Sequence, residues 1–129
     1  MAASVQQFFQ RYLEAMRRHD AAALAHCHAL PCLLVQPGAR RVLASPAELD
    51  AHCRRTMQLT AEAGLVPETF ELRTCVALGD AFAFAEVAWK PAADAPRQEV
   101  LHTGYQLART GAGWAIVSTT AHADFLADR

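Results

Sequence analysis

The sequence predicts an α+β fold in the order α-α-β-β-α-β-β-β-β, built as a single domain over residues 1–129. Three observations carry this expectation. Apolar residues near the start recur at helical spacing, whereas the second half alternates at strand spacing between glycine-containing turns. The 129 residues suffice for one hydrophobic core and are too few for two domains of ordinary size. Helices grouped early and antiparallel strands grouped late place the helices on one face of a bent sheet.

The first helix rests on Val5, Phe8, Phe9, Tyr12, Leu13 and Met16, which form one apolar stripe. Ser4 and Gln7 have capping-box spacing at its start. Asp20 caps a second, short helix from Ala21 to about His28, with Leu24 facing inward. Pro31, which has no amide hydrogen, is expected to end helical structure before a fully apolar strand from Cys32 to Val35. Pro37-Gly38 turns the chain into a partner strand, Ala39 to Leu43. Ser45-Pro46-Ala47-Glu48 starts the third helix and Gly64 stops it, with Leu49, Cys53, Thr56, Met57 and Thr60 on one side. Two hairpins follow. Thr69 to Leu78 returns through Gly79-Asp80 as Ala81 to Lys90, and Glu99 to Arg109 returns through Gly111-Ala112-Gly113 as Trp114 to Ala121.

Composition excludes some classes of function. Twelve basic against thirteen acidic residues give a net charge of −1, which argues against a grip on nucleic acid or a membrane surface. The paired arginines at 17–18, 40–41 and 54–55 are scattered among acids and read as solvated surface. No apolar run is long enough to span a bilayer, and Gln6 and Gln7 interrupt what would be the apolar part of a secretory signal. A cytoplasmic protein with its four cysteines as thiols is expected.

The densest chemical stretch is His26-Cys27-His28-Ala29-Leu30-Pro31-Cys32. Zinc favours paired Cys and His ligands a few residues apart, but Pro31 breaks the helix that would align His28 with Cys32, and Cys27 and His28 point about 100° apart on a helix. The expectation is no metal and no cofactor. Cys27, Cys32 and Cys53 serve as small core residues, burial raises rather than lowers a thiol pKa, and His28 lies near a pocket mouth.

The element order, with Gln10-Arg11-Tyr12, Arg18-His19-Asp20 and Gly113-Trp114-Ala115-Ile116, resembles the NTF2-like superfamily and within it the ketosteroid isomerases and SnoaL-like polyketide cyclases. The resemblance implies a cystatin-like cone: a strongly curved, mixed but mainly antiparallel sheet around the first helix, an apolar pocket between them, and a homodimer through the outer sheet face. It places the isomerase's enolate-binding tyrosine on Tyr12 and its second oxyanion donor near Tyr105. It places the aspartate base on Gln36, where an amide cannot accept and return a proton. Ketosteroid isomerase activity is therefore not expected.

Strand alternation assigns Leu101, Thr103, Tyr105 and Leu107, with Trp114, Ile116, Ser118 and Thr120, to the concave side, and turns His102 outward. Between Ala81 and Lys90 both faces are apolar, and Glu86 is in phase with Phe82 and Phe84. If those rings face inward, Glu86 is a carboxyl in an apolar place and an acid–base candidate. If they face outward, it is a rim or interface residue paired with an arginine. His122 is a further proton-carrier candidate. The candidate catalytic residues are thus Tyr12, Glu86 and His122, and the candidate ligand-binding residues Tyr12, His28, Gln36, Trp89, Tyr105 and Trp114. The expected function is binding of a small apolar ligand in the cone, without established catalysis. The alternatives are an isomerase, cyclase or dehydratase acting on an apolar carbonyl compound, and a protein-interaction or scaffold domain.

Overall fold

A computed structural model describes residues 2–121. The elements are α1 (Ala2–Arg17), α2 (Ala21–Ala25), β1 (His28–Gln36), β2 (Ala39–Leu43), α3 (Pro46–Glu62), β3 (Thr69–Leu78), β4 (Phe82–Lys90), β5 (Leu101–Thr110) and β6 (Gly113–Ala121). Their order is the predicted one. The six strands form one open sheet, β2-β1-β6-β5-β4-β3, in which only β1 and β6 run parallel. The helices pack in its concavity. No helix among the described residues is long and apolar enough to cross a membrane.

The apolar stripe of α1 is the centre of the core, with Val5, Phe8, Phe9, Leu13 and Met16 buried. Asp20 caps α2, its carboxylate accepting from the amide of Ala23 at 3.0 Å. At α3 the predicted start is made in full. Ser45 Oγ accepts from the Glu48 amide at 3.2 Å, and Glu48 Oε1 accepts from both the Ser45 hydroxyl and the Ala44 amide. Gly64 takes φ +69° just past the helix end.

Three expectations need correction, and one alternative left open is decided. The helix α1 starts at Ala2, so Ser4 lies inside its first turn, and its Oγ accepts from Trp114 Nε1 at 3.1 Å. The second helix stops at Ala25 and β1 begins at His28, so Pro31 sits within a strand. The register between β1 and β6 slips between His28 and Leu33, where the proline supplies no ladder hydrogen. On β4 the phenylalanines face outward. Ala83, Ala85, Val87 and Trp89 point into the core with Phe8 and Phe9, while Phe82 and Phe84 are exposed. The small alanines leave room for the α1 rings. Glu86 therefore lies on the outer face.

The third correction concerns β6. Leu107 faces Ile116, but Gln106 faces Ser118, so Val117 is an extra residue between two pairs. Trp114 and Ile116 point inward as predicted. Beyond the bulge the phase reverses: Thr119 and Ala121 face inward opposite Tyr105 and Thr103, and Ser118 and Thr120 face outward.

Candidate functional site

A cavity of about 250 Å³ opens between α1, α3 and the concave face of the sheet. Its floor is aromatic. Tyr12 stacks on Trp89 with ring centroids 5.1 Å apart, and Tyr105 stands edge-on to both. Beneath them Phe9 packs against Tyr105 at 4.9 Å and Trp89 at 6.2 Å. The Trp89 indole donates to the Tyr105 hydroxyl at 3.1 Å, and the Tyr12 and Tyr105 rings lie 5.9 Å apart, centroid to centroid. Burial, together with the neighbouring Tyr105 phenol, raises the Tyr12 pKa well above that of a free phenol. Burial likewise pushes Tyr105 up to about 12. Both remain neutral donors at physiological pH.

One side wall carries nitrogen bases. His28 opens β1 and its Nδ1 lies 2.9 Å from the Leu24 carbonyl. A carbonyl can only accept, so Nδ1 carries the proton, and the neutral ring keeps a lone pair on Nε2. Burial lowers the His28 pKa. His52 faces the cavity from α3, with Nε2 3.4 Å from Thr56 Oγ1. Burial first, then the positive potential of His28 and Arg41, lowers its pKa to about 4. Gln36, the last residue of β1, also lines the cavity.

Of the residues singled out from the sequence, Tyr12, His28, Gln36, Trp89 and Tyr105 come together around this space. Three do not. Trp114 is buried elsewhere, held by Ser4 on α1 and covered by the Arg109 guanidinium 4.3 Å from its ring. Glu86 lies on the convex face with its carboxylate 3.7 Å from His102 Nδ1, so the partner is a histidine rather than an arginine, and the acid–base role is lost with the side it faces. His122 lies outside the described residues.

His52 is the wall residue that strand and motif reasoning missed. Its signal was the four-residue spacing of His52, Thr56 and Thr60, which sets a polar row beside the Cys53–Met57 stripe on α3. The cysteines take no part. Cys32 and Cys53 are fully buried, burial pushes Cys27 and Cys32 up to about 11 and Cys53 up to about 12, and the Cys27 thiol donates to the Ala23 carbonyl. Among the described residues no three His, Cys, Asp or Glu side chains are grouped to hold a metal ion.

The family model of the NTF2-like protein family DUF6841 matches residues 3–124. Among solved structures, an NTF2-like protein of unknown function from Shewanella oneidensis MR-1 superposes with a TM-score of 0.69 at 15% identity, over 94% of this chain and 98% of that one. A ketosteroid isomerase-like protein from Erwinia carotovora atroseptica gives 0.66 at 17% identity, over 93% of each chain. A protein from Xanthomonas campestris described as a putative calcium/calmodulin-dependent protein kinase II association domain gives 0.66 at 12% identity, over 95% of this chain and 87% of that one. At such identities these likenesses carry the fold alone. The search of curated proteins finds no match.

Proposed function

The chain belongs to the NTF2-like family DUF6841, and on that premise we propose that it binds a small, mostly apolar ligand in its cone cavity. The observation supporting this reading is the aromatic floor of Tyr12, Trp89 and Tyr105 under an open space of about 250 Å³. An apolar surface with a few convergent polar groups is the usual make-up of a small-molecule site. Tyr12 offers a donor to a carbonyl or hydroxyl oxygen, and Gln36 offers both a donor and an acceptor.

Thermal shift with apolar carbonyl compounds tests the reading. A ligand at about a hundred times its dissociation constant should stabilise the fold by about 2.7 kcal/mol. Thr119→Phe, which puts a ring into the cavity from β6, should abolish the shift while keeping the fold. No shift across a broad panel, or shifts unchanged in Thr119→Phe, would count against the cavity as the site.

A second reading is favoured by one pairing. The Tyr12 ring lies 6.5 Å, centroid to centroid, from that of His28, whose Nε2 is a base. Such a pair could polarise a carbonyl and remove an adjacent proton, the chemistry of an isomerase, cyclase or dehydratase. Running the binding experiment in deuterium oxide separates the two readings. Exchange of a bound ketone's α-hydrogens that is lost in His28→Gln favours the enzyme; binding without exchange favours the carrier.

For the outer sheet face we propose a second copy of the chain as the occupant. Val76, Leu78, Phe82 and Phe84 are exposed together on neighbouring strands, an arrangement that favours burial on association. Light scattering at micromolar concentration should report a dimer, and Phe84→Asp should give a monomer of unchanged secondary structure. A wild-type monomer would remove this role.

A further inference from the structure

We propose that the ligand is an apolar carboxylic acid, its hydrocarbon on the aromatic floor and its carboxyl group held on the side bounded by Arg41, His52 and His28. This rests on the ligand-binding reading above and names the chemical class of the ligand. It starts from a charge inventory. Among the described residues no aspartate or glutamate lines the cavity, and its ionisable nitrogen groups are His28 of β1, His52 of α3 and His102 of β5, of which His28 and His52 belong to neighbouring parts of one wall while His102 has the Glu86 carboxylate 3.7 Å from its Nδ1. Arg41 adds a permanent charge to this side. In the β1–β2 hairpin it stands opposite Leu34, which lines the cavity, and residues directly opposite in a ladder share a face. Its charge is felt at His52. Arg41 is exposed and makes no ion pair among the described residues.

The opposite side of the cavity differs in kind. Tyr12, Trp89 and Tyr105 present rings, and the Trp89 N–H is already engaged by the Tyr105 hydroxyl. The site is therefore amphipathic, with an oily end and an end of positive potential. An amide or alcohol would use the oily end and leave that potential unanswered. A carboxylate would answer it, at the rim through the Arg41 guanidinium and deeper through imidazole N–H groups.

The tautomer of His28 adds a consequence. Its Nδ1–H is committed to the Leu24 carbonyl, so this cavity-lining ring has its lone pair on Nε2. A lone pair repels a carboxylate. A proton must therefore enter with the ligand, either on an imidazole or as the acid's own. The groups that bear on this proton are His52 from α3, Arg41 from β2, His102 from β5 with Glu86 of β4 beside it, and the neutral phenols Tyr12 from α1 and Tyr105 from β5. Burial first, and then the positive neighbours, lower the His52 pKa, and an anion beside the ring acts in the opposite sense.

Calorimetric titration of the full chain at neutral pH with octanoate and with octanamide tests this. Octanoate should bind about tenfold more tightly or better, because only it forms charge-assisted hydrogen bonds. Its binding heat should differ between phosphate and Tris buffers in the sense of proton uptake, and His52→Gln should reduce that difference. Arg41→Met, at an exposed position, should weaken octanoate about fivefold or more while leaving octanamide unchanged. Octanamide binding as well as octanoate, a buffer-independent heat, or equal weakening of both ligands in Arg41→Met would overturn the carboxylate assignment and leave the cavity as a ligand site. Binding of neither compound would overturn both.

Discussion

Phe9→Ala is expected to destabilise the protein by about 3–5 kcal/mol, the usual cost of removing a fully buried phenyl ring. The ring is wholly inaccessible. It packs edge-on to Phe8 at 5.0 Å, against Tyr105 at 4.9 Å and against Trp89 at 6.2 Å. Two terms add in the same direction: the apolar surface returned to water on unfolding is lost, and the void left in the folded state among the packed rings closes only in part. Phe9→Leu keeps most of the volume and should cost less than about 1.5 kcal/mol. Urea denaturation measures both. A loss under about 1 kcal/mol in Phe9→Ala would mean that α1 does not seat its ring stripe against the concave sheet, since surface substitutions have effects of that size.

Acidification should destabilise the protein through His52. The sign follows from its lowered pKa. Between about pH 4, where His52 titrates in the folded chain, and its ordinary value of 6.5, the unfolded chain binds a proton that the folded chain does not. Stability is therefore complete above pH 6.5 and is lost as the pH falls toward 4. Each unit of separation corresponds to about 1.36 kcal/mol, and partial exposure of the ring brings the total to about 2–3 kcal/mol. His28, whose pKa is also lowered by burial, acts in the same direction. Carboxylates elsewhere add their own pH dependence, so the measurement is a difference: the urea-unfolding free energy of wild type minus that of His52→Gln, across this range. The difference should shift against wild type as the pH falls from 6.5 toward 4. Parallel curves would show that the imidazole is as well hydrated in the folded chain as in the unfolded one.

The fold was legible because its signals are local. The α1 stripe, the Ser45-Pro46 start and the glycine turns each specify an element without knowledge of the rest. What escaped was phase. A strand seen alone shows alternation but not which set faces in, and β4 is apolar on both sides. Only packing against α1 decides that its alanines go inward and Phe82, Phe84 and Glu86 outward. The Val117 bulge is similarly invisible, because an extra residue in one strand is defined by its partner. The site divided along the same line. Tyr12, Trp89 and Tyr105 sit in strong periodic patterns and reach the cavity, whereas Glu86 depended on an undecided phase. Arg41 could have been placed by counting outward from the Pro37-Gly38 turn, which sets Gln36 against Ala39 and Leu34 against Arg41.

Tryptophan fluorescence gives the most direct test that the cone holds a ligand. The chain has two tryptophans, of which Trp89 lines the cavity and Trp114 is buried away from it. In a Trp114→Phe background every photon therefore reports on the cavity wall. Bromine quenches indole emission only near contact, so a terminally brominated octanamide seated there should quench Trp89 strongly and saturably, and the unbrominated amide should reverse the quenching by competition. Weak, non-saturating quenching, equal to that of the same compound on free tryptophan, would contradict an occupied cone.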